Sequence, residues 1–93
     1  MSILAIETAS QVSSVAVLKE GRLAAEITMQ GRLTHSETLM PHVKSVLQMA
    51  GTEQRDVSGI AVSIGPGSFT GLRIGLAAAK AMAYAWDVPL VGI

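Results

Sequence analysis

The chain has 93 residues, enough for one domain with a modest core, and 49% of them are hydrophobic, the usual share for a globular protein. Seven basic and seven acidic residues leave no formal net charge and aromatics are 3%, which argues against direct nucleic-acid binding by clustered cations or a base-stacking platform. Cysteine is absent, which excludes disulfides and thiolate-bound zinc.

The start lacks the basic region, long apolar run and cleavage pattern of a signal peptide. The most apolar stretch, residues 76–86, contains Lys80 and is far shorter than the ~20 residues of a membrane span. A cytoplasmic protein that does not enter membranes is expected.

Residues 3–6 form a short apolar run with β-branched content and predict a buried strand. Val15 and Val17 with Ala16 and Leu18 predict a second, and residues 23–29 a third. Glu20-Gly21 between the last two suits a tight antiparallel hairpin, because glycine accepts positive φ. Thr34-His35-Ser36-Glu37 has the form of a capping box. Leu39, Val43, Val46, Leu47 and Ala50 then recur at helical spacing, and Gly51 supplies the stop. Pro41 removes one helical donor, so the helix either kinks there or starts near Thr38.

Residues 58–64 predict a buried parallel strand, residues 69–86 a long helix, and Asp87-Val88-Pro89 its end. Residues 90–93 begin another strand, so the chain is expected to be one lobe of a longer protein. The order βββαβαβ predicts a mixed five-stranded sheet flanked by two main helices.

Gly65-Pro66-Gly67-Ser68-Phe69-Thr70-Gly71 lies between a predicted strand and helix. Backbone amides and a helix N-terminus make such a place a candidate anion or phosphate site, with Gly65, Gly67, Ser68, Thr70 and Gly71 as its residues. A tight turn with Ser68 or Thr70 as helix cap is the simpler reading, favoured because Pro66 has no amide to donate and no Lys follows as in a Walker loop. Glu7-Thr8-Ala9-Ser10 has the layout of the phosphate hairpin of sugar kinases, Hsp70 and actin, with Glu in place of Asp and no glycine in the turn, so no catalytic role is assigned to Glu7. His35 and His42 stand seven residues apart, whereas two ligands on one helix converge at a spacing of three or four. No metal site and no catalytic residue is predicted. Ser10 and Ser68 lack a Gly-x-Ser-x-Gly elbow, so a serine hydrolase is not supported.

The second helix carries only two charges, Arg73 and Lys80. Ile74, Ala78, Met82 and Ala85 form one apolar row, expected to face the sheet. Leu72, Leu76, Ala79 and Ala83 form another, expected to face outward. A lone surface helix is polar on that side. Gly71, Gly75, Ala79 and Ala83 recur every four residues, a spacing that admits a second backbone closely. Leu72, Arg73, Gly75, Leu76, Ala79, Lys80 and Ala83 are therefore the expected partner or dimer interface.

The segment from Gly65 to Gly75 resembles the signature of the bacterial TsaB family, formerly YeaZ. Residues 3–10 resemble that family's start, where Asp is commoner than Glu7. His35-Ser36-Glu37 and Leu39-Met40-Pro41 resemble its first helix. The resemblance covers the whole chain and the first lobe of the family's two. It implies an actin-like, RNase H-like ATPase fold and a role in forming N6-threonylcarbamoyladenosine at position 37 of tRNA. It further implies a non-catalytic scaffold for a TsaD-like catalytic subunit, with a TsaE-like ATPase in the assembly and a homodimer, formed through the two N-terminal helices, when isolated. No cofactor is expected in this lobe, with ATP belonging to the partner assembly. Two alternatives stand beside the scaffold: an actin-like nucleotide-binding ATPase and a glycoprotease-like peptidase. The peptidase is disfavoured because His35 and His42 do not form the His-x-x-x-His pair of the relative.

Overall fold

The computed structural model describes residues 1–8, 12–30, 36–63 and 69–93, without the side chains of 12, 30, 36–38 and 69–72. Its strands are β1 (Ser2–Glu7), β2 (Val12–Lys19), β3 (Arg22–Gln30), β4 (Val57–Val62) and β5 (Leu90–Gly92). Its helices are α1 (Ser36–Met49) and α2 (Phe69–Trp86), with a 3-10 turn at Gln54–Asp56. The sheet order is β3-β2-β1-β4-β5. β1, β2 and β3 pair antiparallel, while β1–β4 and β4–β5 pair parallel. The expected mixed five-stranded βββαβαβ lobe is therefore the observed one.

The β2–β3 connection is the two-residue turn expected. Glu20 (φ 51°) and Gly21 (φ 77°) are both left-handed, which matches the twist of the strands they join. The N-terminal ammonium of Met1 forms an ion pair with the Glu20 carboxylate, which holds that carboxyl below its ordinary pKa of 4.5. Gly51 (φ 64°) ends α1, where its amide donates to Gln48 O at 3.1 Å and Thr52 N donates to Leu47 O at 2.9 Å. Lys19 Nζ reaches from β2 to donate to Ala50 O at 2.6 Å, placing a cation on the negative end of the helix.

α1 begins at Ser36 and runs through Pro41, which is exposed. Near the helix start proline forfeits a single intrahelical bond, a cost that the buried stripe Leu39, Val43, Val46 and Leu47 outweighs. β4 ends at Val62, short of the residue 64 expected.

Both helices cover one face of the sheet. Leu4, Ile6, Val15, Val17, Ile60 and Val62 from the strands form one cluster with Leu39, Val43 and Val46 of α1 and with Ala79, Met82 and Ala83 of α2. On the opposite face Ile3, Ala5, Ser14, Leu18 and Ala61 are half-buried. The expectation of helices flanking the sheet is thus met on one side only, among the described residues.

Candidate functional site: the outer surface of the helix layer

α2 is oriented differently from the expectation. Ala79 (0% exposed) and Ala83 (9%) lie in the core, Gly75 is buried, and Leu76 packs half-buried against the same cluster. The described members of the row expected to face outward, Leu76, Ala79 and Ala83, thus face the lobe's own sheet. Of the row expected inward, Met82 is buried, Ile74 and Ala78 are half-buried, and Ala85 is exposed. The physical reason is volume. Leu76, Met82 and Trp86 bracket the Gly75–Ala79–Ala83 stripe, and small residues between large ones let the helix lie close to the strands.

Gly75 shows how close. A Cβ at this position would overlap Thr8 Oγ1 and meet Thr8 Cβ at 3.4 Å and Cγ2 at 3.5 Å. At Gly75 the missing Cβ thus makes room for Thr8, the residue that follows β1. Gly75, Leu76, Ala79 and Ala83 therefore do not form an outward face, while Arg73 and Lys80 are exposed. The side chain of Leu72 lies outside the described residues.

The outer face of α2 consists of Arg73, Ala77, Lys80, Ala81, Tyr84 and Ala85, with Tyr84 91% exposed. An apolar groove of about 480 Å³ lies between the helices, lined by Met40 of α1 and by Ala77, Ala78, Ala81, Met82, Ala85 and Trp86. Met40 is itself exposed. Sequence reading missed Met40 and Tyr84. An isolated exposed Met or Tyr carries no periodic signal, and only the packing of α1 beside α2 brings Met40 to the groove.

The candidate anion loop lies mostly outside the described residues. Gly65, Gly67 and Ser68, like Ser10 and His35, lie outside the described residues, and Thr70 and Gly71 belong to the first turn of α2. Because β1 and β4 are parallel, Glu7–Thr8 and the end of β4 emerge at the same end of the sheet, where Ser63 N donates to Ile6 O at 3.0 Å. Ser13 stands at this end of β2, 1% exposed, and its Oγ has no hydrogen-bond partner among the described residues. No group of three or more His, Cys, Asp or Glu is placed to hold a metal among the described residues. No helix among them is long and apolar enough to cross a membrane.

The architecture is shared with proteins of little sequence similarity. RuvC from Thermus thermophilus superposes with a TM-score of 0.64 at 14% identity, covering 100% of this chain and 63% of that one. A Bacteroides thetaiotaomicron protein with an actin-like ATPase fold and unknown function gives 0.61 at 8% identity, over 97% and 32% of the two chains. The molecule is thus an RNase H-like, actin-like lobe. YeaZ from Pseudomonas aeruginosa superposes with a TM-score of 0.90 at 34% identity, over 99% of this chain and 43% of that one. The tRNA threonylcarbamoyladenosine biosynthesis protein TsaB of Escherichia coli K12 is 38% identical over 100% of this chain and 40% of its own length. Its namesake in Bacillus subtilis 168 is 39% identical over 100% and 41%. The profile of the TsaD family, tRNA N6-adenosine threonylcarbamoyltransferase, matches residues 22–93. The chain belongs to this family, in its TsaB (YeaZ) branch. It spans about two fifths of the length of these curated relatives.

Proposed function

We propose that the chain is the N-terminal docking lobe of a TsaB-type protein that acts in the cytoplasm. It would serve a TsaD-type threonylcarbamoyltransferase as a non-catalytic scaffold in the formation of N6-threonylcarbamoyladenosine on tRNA. The observation that carries this reading is the apolar groove between α1 and α2, with Met40 on one wall, Ala77, Ala81 and Ala85 on the other, and Tyr84 beside it. A shallow apolar trough rimmed by exposed polar residues is the form a helix-on-helix interface takes. A TsaE-type ATPase would join the assembly, and an isolated chain would self-associate through the same face. ATP is assigned to the assembly rather than to this lobe.

The test is binding of the chain to the TsaD-type subunit of the same organism by calorimetry, alongside Ala81→Arg and Tyr84→Ala. Arginine at position 81 fills the groove with a charge and should abolish binding while the circular dichroism spectrum stays unchanged. Wild-type affinity in A81R would refute docking through this face. A second reading, nucleotide binding, rests on Ser13: a buried hydroxyl without a partner at the sheet end where Glu7, Thr8 and the start of α2 meet. Calorimetry with magnesium and ATP decides it, and no heat at millimolar nucleotide removes it.

A further inference from the structure

β3 stands last in the sheet order and, among the described residues, pairs with β2 alone. Its far side therefore offers backbone donors and acceptors to another strand. Natural edge strands are blunted by lysine, proline, a bulge or short length. β3 is the longest strand of the sheet at 9 residues and holds no Lys and no Pro. Its bulge lies near its start, where Leu18 faces Leu23 and Val17 faces Ala25, leaving Ala24 unmatched. From Ala25 to Gln30 the ladder is unbroken. Ala25, Ile27 and Met29 share the helix side of the sheet with Val17 and Val15, while Glu26 and Thr28 lie on the other side and are exposed. Met29 is exposed as well.

We propose that β3 pairs antiparallel with β3 of a second copy, in the register centred on Ile27, joining two five-stranded sheets into one. The contact is separate from the groove between the helices and does not depend on the docking reading. The two-fold axis of such a seam is normal to the sheet, so residues brought opposite each other share a face. Centred on Ile27, the strand complements itself. Ile27 meets Ile27 of the second copy, Ala25 meets Met29, and Glu26 meets Thr28. Centred on Glu26, two carboxylates would oppose each other; centred on Thr28, the overlap shrinks from Ala24–Gln30 to Glu26–Gln30. The helices tolerate the seam. α1 lies over β2 and β3, so the two α1 helices would stand two strand spacings apart, about 10 Å, an ordinary helix-packing distance. Met49 is exposed on the flank of α1 opposite Met40, and this flank faces the seam.

The chain has no cysteine, so introduced cysteines report the register directly. Opposed Cα atoms of paired strands lie about 4.5–5.5 Å apart, within reach of a disulfide, and diagonal ones about 7–8 Å apart, beyond it. Glu26→Cys and Thr28→Cys alter exposed side chains and should leave the circular dichroism spectrum unchanged. Oxidised together, the two variants should form a mixed disulfide dimer at least about tenfold faster than either variant alone. Sedimentation supplies the second arm, in the A81R background that removes association through the groove. That chain should still dimerise, with a Kd between about 1 µM and about 1 mM, the range of a small contact. Added to it, Thr28→Glu sets two like charges opposite each other twice per dimer and should weaken pairing about tenfold, whereas Thr28→Lys should strengthen it. Cross-linking of T28C alone or E26C alone as fast as the mixture overturns the inference. So does a chain that stays monomeric at millimolar concentration in the A81R background, or an equal effect of T28E and T28K. The docking reading is judged separately, by whether A81R loses the TsaD-type subunit.

Discussion

Arginine at Ala79 and arginine at Ala81 should have opposite consequences, although two positions separate them on one helix. Ala79 is fully enclosed between α2 and the strands that carry Leu4, Ile6, Ile60 and Val62. Enlarging a packed site costs about 1–3 kcal/mol, and a buried cation with no partner adds several more. A chain of this size is held by roughly 5–14 kcal/mol in total. A79R is therefore expected to remove most of the stability, seen as a urea midpoint less than half that of wild type or as an unfolded spectrum. Ala79→Leu, which brings volume without charge, should cost about 1–3 kcal/mol and keeps the measurement within range. Ala81 is exposed on the groove wall, so A81R should change stability by no more than about 0.5 kcal/mol while blocking the groove. Urea unfolding followed by circular dichroism reads all three. A wild-type midpoint for A79R, or a loss above about 2 kcal/mol for A81R, would mean that α2 is rotated from the orientation described and would refute the reasoning.

Gly75→Ala should cost about 1–3 kcal/mol by driving Cβ into Thr8, and a double-mutant cycle with Thr8→Ala should show the two changes to be coupled rather than additive. Asp87 closes α2 at φ 54°, with Val88 N donating to Ala83 O at 3.0 Å. Asp87→Gly relieves that left-handed residue and should raise stability by about 0.5–1 kcal/mol in thermal or urea unfolding. Ser13→Ala removes a buried hydroxyl without a partner and should be neutral or stabilise by about 1 kcal/mol, whereas a loss above that would reveal a bond to Oγ. The Glu20 carboxyl lies below its ordinary pKa in the folded chain, so its attraction to the N-terminus is present above the unfolded carboxylate's pKa and disappears as pH falls through the folded value. The urea midpoints of wild type and Glu20→Gln should accordingly differ at neutral pH and converge in acid.

Much of the fold was legible in local chemistry. Glu20-Gly21 named its turn because consecutive left-handed residues need glycine or a tolerant neighbour. Gly51 named the end of α1 for the same reason. The α1 stripe was readable because Leu39, Val43, Val46 and Leu47 alternate with polar residues, so hydropathy alone points to the core. α2 withheld its orientation. Its alanines serve helix propensity as much as burial, so rows of exposed and buried alanine look alike by hydropathy. Weighting by volume would have helped, since Leu76, Met82 and Trp86 flank the stripe that lies nearest the sheet.

The sequence by itself determined the elements, their order, the turn chemistry and the family. These follow from periodicity and from backbone constraints acting over a few residues. Only the tertiary structure decided that Gly75 makes room for Thr8 and Ala79 lies in the core, and that Met40 joins the alanines of α2 in one groove. It also decided that Lys44 and Lys80 stand on the same helix layer. Each of these depends on how two elements distant in the chain fill space together, and neither element's sequence encodes that alone.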